Sequence, residues 1–326
     1  VPEDISALQR REIIANGYAT PQITAEQLAM WAENLTYVSY FSYGFTMNGD
    51  LVVIRDEELI TEAESSGVAP LMVLTPFDET GTYSYDLVKK VFTDPAMRDR
   101  LINNVVLTAS AKDYYGVVFN FGFIADEDNQ QFVITVSKSA ARLNRRGMLV
   151  IVSIISGIND AGIDYEALGR AANFIELRTF RWEQSQEPPM AISPADRIRE
   201  AISQVSALVD PRFILIGIPN YGYDWTLPYV QGSTAAETIS ESEAEGRASR
   251  TGAAIQYSDT VQAPHFNYTD GTGAAHEVWF EDERSIRAKL ELVDEYDLAG
   301  VSIWTIMNPF PAWARIMAEM FTVKKV

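Results

Sequence analysis

The stretch Tyr114-Tyr115-Gly116-Val117-Val118-Phe119-Asn120-Phe121-Gly122-Phe123-Ile124 has the composition of a buried strand, and its polar side chains beyond the two leading tyrosines reduce to one amide. Side chains two apart in an extended chain share a face, so Val118, Asn120 and Gly122 line up together. Hydrolytic chemistry on such a face needs a proton donor within about 3 Å of the reacting oxygen. Asn120 offers only a neutral hydrogen bond and Gly122 only backbone. A second alternating pair, Glu176 and Arg178, does carry charge. A buried guanidinium without a partner costs on the order of several kcal/mol. Glu176 and Arg178 are therefore expected to share an internal charge network, with Asn120 as a further member, filling the space where a substrate would react. A register shifted by one residue would instead put both charges beneath flanking helices. Glu176 belongs nearer the floor than a reacting bond and is not nominated as an acid.

Other carboxylates are candidates for a displaced proton donor: Asp224, Glu183 and the run Asp126-Glu127-Asp128. A charge run on a loop is ordinarily just solvated. The two histidines, His265 and His276, have no third ligand at a recognisable interval, so neither a metal site nor a cofactor is expected. Gly-x-Ser-x-Gly, the elbow of a serine nucleophile, is absent.

The elements that must position these residues are legible as eight apolar, β-branched runs: Ile13–Thr20, Thr36–Phe45, Ala69–Phe77, Tyr115–Ile124, Met148–Ser156, Asn173–Phe180, Phe213–Asn220 and Ala299–Ile306. Most are followed by an amphipathic stretch, the pattern of parallel strands covered on both faces, and eight of them imply a (β/α)8 TIM barrel of the α/β class. Helix starts are marked at Thr24-Ala25-Glu26-Gln27, a capping-box pattern, and at Asp94-Pro95, a cap followed by proline. From Thr226 to Val278 the rhythm breaks into Gly, Ser, Thr and Ala with short strand-like pieces, and Tyr268-Thr269-Asp270-Gly271 suits a hairpin turn. The expected division is a barrel from 1–225 and 279–326 with a small α+β insertion at 226–278 between the seventh and eighth strands.

The chain has 326 residues, 47% hydrophobic content, no cysteine and a formal charge of −19. It can bury a large core, has no disulfide or thiolate chemistry, and would be repelled by nucleic acid and anionic membranes. No apolar run is long enough to span a bilayer and no signal peptide is visible. Val1-Pro2-Glu3-Asp4 reads as a trimmed edge, which leaves open a leader or wall-binding module ahead of it.

The strand at Tyr114–Ile124 resembles the signature strand of family 18 glycoside hydrolases in their spore cortex-lytic, YaaH-like branch, where Tyr-Tyr-Gly-Leu-Asn-Ile-Asp-Phe-Glu-Tyr is expected. The likeness continues through Asn16-Gly17-Tyr18, Phe41-Ser42-Tyr43, Thr93-Asp94-Pro95, Pro188-Pro189-Met190-Ala191, Tyr221-Gly222-Tyr223-Asp224-Trp225, Val278-Trp279-Phe280-Glu281-Asp282 and Gly300-Val301-Ser302 with Trp304. In active members the resemblance implies that the substrate's own 2-acetamido group attacks the anomeric carbon. A Glu protonates the leaving oxygen, an Asp two residues earlier steadies the nucleophile, and a Tyr of the sixth strand holds its carbonyl.

In this chain those three positions are Gly122, Asn120 and Phe180, while Arg178 stands where the family shows Met and Arg181 where it shows Glu. The catalytic set is degenerate on two strands at once, so hydrolysis is expected to be lost. Trp304 stands where the family places the aromatic floor beneath a sugar, and Tyr221, Tyr223, Asp224, Trp225, Tyr18 and Tyr43 are expected around it as glycan-binding residues. Three functions compete. The first is binding of N-acetylglucosamine-containing glycans, peptidoglycan or chitin-like, without turnover. The second is a glycosidase with a relocated acid, and the third is a structural scaffold of the spore or cell surface that meets a surface protein. The resemblance implies an extracellular place, associated with the spore or the cell wall.

Overall fold

The computed structural model describes residues 10–122, 124–156, 162–180 and 182–326, the side chains of Trp182 and Glu183 excepted. Eight parallel strands form a closed barrel: Arg11–Ala19, Tyr37–Phe45, Ala69–Leu74, Gly116–Phe119, Leu149–Ile155, Phe174–Arg178, Ile214–Pro219 and Gly300–Trp304. Closure is made by the first strand, which pairs with the second through Asn16 and Tyr37 and with the eighth through Tyr18 and Trp304. All eight coincide with the apolar runs of the sequence, because strands buried on both faces must be apolar without interruption.

Alternation sorts their side chains between two cores. Ile14, Tyr18, Leu71, Val73, Val118 and Ile151 pack together inside the barrel. Val117, Phe119, Val150 and Val152 turn outward into the larger core shared with the helices. Thr24 caps the helix Ala25–Ala32 with a complete capping box through Gln27, and Asp94 caps Pro95–Ala111 by accepting from the amides of Ala96 and Met97. These caps set where each crossover turns back toward the next strand.

Between the seventh and eighth barrel strands lies a second, antiparallel sheet of five strands: Tyr221–Leu227, Glu237–Ser240, Gln256–Ser258, Ala263–Thr269 and Ala275–Trp279. It carries the helix Glu241–Thr251, which buries Ala244 and Ala248 against Ile239, Phe266 and Val278. The expected hairpin at Asp270 joins Ala263–Thr269 to Ala275–Trp279. The sheet starts at Tyr221, ahead of the boundary read from composition at 226. The chain leaves the barrel at Pro219 and passes almost directly into the second sheet, so Tyr221, Tyr223 and Trp225 lie on that sheet's first strand while packing with Phe180 and Ile192. No helix among the described residues is long and apolar enough to cross a membrane.

Candidate functional site

Glu176 and Arg178 lie on the inward face of the sixth strand, Glu176 fully buried and Arg178 6% exposed. Both Glu176 oxygens accept from the Tyr18 hydroxyl, at 3.0 and 2.9 Å, and Oε1 also accepts from Ser153 Oγ at 2.7 Å. Burial, and then the charge of Glu176, hold the Tyr18 hydroxyl well above its ordinary range, so it stays a donor. Arg178 Nη2 donates to Asn120 Oδ1 at 2.6 Å, while its Nε stands 3.7 Å from Glu176 Oε1, in ion-pair range but with no hydrogen bond. The Asn120 amide donates in turn to Thr75 Oγ1 at 3.3 Å, which accepts from Ser42 Oγ at 2.7 Å. One chain of polar contacts thus crosses the barrel from the first strand to the second. Ser153 was missed although it is the lone polar residue in an inward position of Leu149–Ile155; Ser42 and Thr75 lie at strand ends, where alternation is a weak guide.

The fourth strand ends at Phe119 and the backbone then departs from extended geometry. Gly122 has φ +72°, in the left-handed region. A Cβ built on it would stand 3.1 Å from the hydroxyl of Tyr83, which donates to the Phe121 carbonyl at 2.7 Å. The position matching the family acid therefore lacks its side chain and also has a backbone that disfavours one. Tyr83 had no sequence signal, since it comes from a loop whose packing only the fold decides.

Trp304 ends the eighth strand, half-buried, its ring 5.4 Å from Tyr18 and 4.8 Å, edge to face, from Phe41. Three hydrogen bonds clamp its backbone surroundings: Asn220 N to Trp304 O at 3.0 Å, Asn220 Nδ2 to Thr305 O at 2.7 Å, and Thr305 N to Asn220 Oδ1 at 2.8 Å. Beside it opens a cavity of about 230 Å³ lined by Asn220, Tyr221, Tyr223, Thr238, Trp304, Thr305 and Asn308. Phe180 is buried with Ile192, Tyr221, Tyr223 and Trp225, and Trp304 packs against this cluster. Trp304, Tyr221 and Tyr223 thus converge on one cavity, and Tyr18, the register partner of Trp304 on the first strand, packs beside it.

Tyr43, Asp224 and Trp225 do not join them. Tyr43 is fully buried on the outer side of the barrel, its hydroxyl bonded to Asp56. The second strand shifts register between Tyr40 and Tyr43, and that irregularity turns Tyr43 away from the face shared by Tyr37 and Phe41. Trp225 is fully buried and donates from Nε1 to the Glu187 carbonyl at 2.8 Å. Asp224 points to the opposite side of its strand, where Arg247, the Tyr268 hydroxyl at 2.6 Å and His276 Nδ1 at 2.7 Å take up both oxygens.

Asp224 is committed to the insertion, and Lys89 holds Glu127 below the usual carboxylate range while pairing with buried Asp128 at 2.6 Å. Arg181 and the side chain of Glu183 lie outside the described residues. His265 stacks on Trp279 at 4.3 Å and His276 sits between Asp224 and Asp270. Among the described residues no group of three or more His, Asp or Glu could hold a metal ion.

The parallel eightfold barrel, with an antiparallel insertion before its last strand and Trp304 closing that strand, is an architecture that hosts many activities, so the class rests on kinship. Residues 78–308 match the glycosyl hydrolases of family 18, and the chain belongs to that family. It is 33% identical over 299 residues to the cortical fragment-lytic enzyme of Bacillus anthracis, covering 89% of this chain and 69% of that protein. Against the putative sporulation-specific glycosylase YdhD of Bacillus subtilis (strain 168) it is 32% identical over 312 residues, 94% of this chain and 74% of that one. The crystal structure of the Bacillus megaterium QM B1551 spore cortex-lytic enzyme SleL superposes with a TM-score of 0.91 at 31% identity, over 98% of this chain and 76% of that chain.

Proposed function

We propose that this chain is a family 18 barrel without the family's hydrolytic step that binds N-acetylglucosamine-containing glycans of the spore or wall through Trp304. The observation that carries the loss of catalysis is Gly122: the acid's position has a left-handed backbone facing the Tyr83 hydroxyl. Asn120, at the supporting position, is a neutral amide already bonded to Arg178, and Phe180 supplies no hydroxyl. No residue of this set can protonate a leaving oxygen or steady an oxazolinium cation.

Retained binding is supported by the cavity beside Trp304, which the half-buried indole lines together with Tyr221 and Tyr223. The apolar face of an amino sugar can stack there without any acid nearby. Peptidoglycan fragments are the glycans favoured by kinship to cortical fragment-lytic proteins, and the same kinship supports a spore- or wall-associated, extracellular setting as part of this reading. Calorimetric titration with chitooligosaccharides and muropeptides tests the reading. Measurable heat with no release of reducing sugar is the expected result; turnover, or no binding to either ligand, overturns it. The cavity favours a glycan over a surface-protein partner, for which a sealed barrel mouth would be the supporting geometry.

A further inference from the structure

The interior charge pair is oriented. Glu176 sits deeper, its oxygens occupied by Tyr18 and Ser153. The Arg178 head reaches Asn120, one residue beyond the end of the fourth strand, so it lies at the C-terminal rim, where barrel active sites open. The positive end of the pair therefore faces the mouth. Gly217 gives the arginine stem its room, since a Cβ there would meet Arg178 Cγ at 2.6 Å.

The guanidinium is also underused. It carries five N–H donors; among the described residues one is bonded to Asn120, and its Nε is buried without a hydrogen-bond acceptor. Tyr18 ties this group to Trp304, with its ring 5.4 Å from the indole and its hydroxyl on Glu176, so one side chain separates the charge pair from the aromatic floor, while the cavity beside Trp304 is lined by other residues. Where the family resemblance implies carboxylates facing a cationic intermediate, this end of the barrel presents a cation and a neutral amide.

We propose that the barrel mouth beside Arg178 is a carboxylate site, in which Arg178 receives the acid group of a carboxylate-bearing amino-sugar glycan whose ring stacks on Trp304. This rests on the reading that Trp304 seats a sugar. The acid can come from a lactyl ether on the amino sugar or from a neighbouring uronate, because a guanidinium recognises the carboxylate in either. A charge-assisted hydrogen bond in a buried site is worth about ten- to hundredfold in affinity over a neutral ligand of the same shape.

The test is calorimetric titration of the whole chain with three disaccharides: neutral chitobiose, N-acetylglucosaminyl-N-acetylmuramic acid, and glucuronyl-N-acetylglucosamine. At least one acidic probe is expected to bind about tenfold tighter than chitobiose or better. Preference for the muramic probe alone assigns the lactyl arm; preference for the glucuronyl probe alone assigns the uronate. The preference should fall to near parity in Arg178→Met and in Glu176→Gln/Arg178→Met, the double variant guarding against a fold weakened by an unpaired Glu176. Chitobiose binding as tightly as both acids, or a preference that survives the double variant, overturns this inference alone. If none of the three binds, the glycan reading falls and the inference with it.

Discussion

Restoring the family's acid by Gly122→Glu should neither create a hydrolase nor leave the fold untouched. The left-handed φ of +72° costs a non-glycine residue about 1–2 kcal/mol. The new Cβ starts 3.1 Å from the Tyr83 hydroxyl, tighter than ordinary contact, so Tyr83 must shift and its 2.7 Å bond to the Phe121 carbonyl weakens, at about 1 kcal/mol more. The sum, about 2–3 kcal/mol, corresponds to a melting temperature lower by roughly 3–4 °C for a domain of this size. Gly122→Ala separates the terms, since it carries the backbone strain and the contact without the carboxylate and should account for most of the drop. Hydrolysis of a chromogenic N-acetylglucosaminide by Asn120→Asp/Gly122→Glu/Phe180→Tyr should stay at background, because the carboxylate is launched toward Tyr83. Turnover in that triple variant, or a Gly122→Ala protein as stable as the parent, would refute the claim that the backbone as well as the side chain has left the catalytic arrangement.

Removing the cation alone, in Arg178→Met, leaves Glu176 buried without its counter-charge and should destabilise by about 3–5 kcal/mol, while Glu176→Gln/Arg178→Met loses much less; denaturant titration of both reads the coupling. The fully buried pair of Lys289 and Glu281, 2.6 Å apart, should behave alike: burial already pushes the Glu281 carboxyl up, and Lys289→Met should lower stability by a similar amount, measured in the same way. Trp304→Ala should weaken chitooligosaccharide binding by about thirtyfold or more in calorimetry if the indole is the central anchor of the site. Burial, reinforced by the charges of Glu245 and Asp282, raises the Glu241 carboxyl to about 7. The folded chain then keeps that proton longer than the unfolded one, so this residue's contribution to stability falls as pH rises from about 4.5 through 7. Glu241→Gln should melt higher than the parent at pH 8 and no differently at pH 4, in paired thermal scans.

Much of the barrel was legible because parallel strands covered on both faces leave continuous apolar runs, and none of the eight was misplaced. The inward set Val118, Asn120, Glu176 and Arg178 followed from alternation carried along short, unbroken strands. Alternation failed where a strand was irregular or belonged to another sheet. Tyr43 was lost to a register shift, and Tyr221-Gly222-Tyr223-Asp224-Trp225 split between two faces whose assignment depends on how the second sheet leans on the barrel. Sequence kinship kept those residues together without saying which of them meets the cavity.

By itself, then, the sequence determined the order of the elements, the family, and the absence of side chains able to exchange a proton at positions 120, 122 and 180. These are local or periodic properties, written residue by residue. Only the tertiary structure decided that Gly122 sits in a left-handed bend under Tyr83, that Asp224 is held by Arg247, Tyr268 and His276, and that Arg178 faces the mouth with donors to spare. Each of these depends on groups far apart in the chain meeting at one point, and such meetings are fixed by the closure of the barrel and the packing of the insertion.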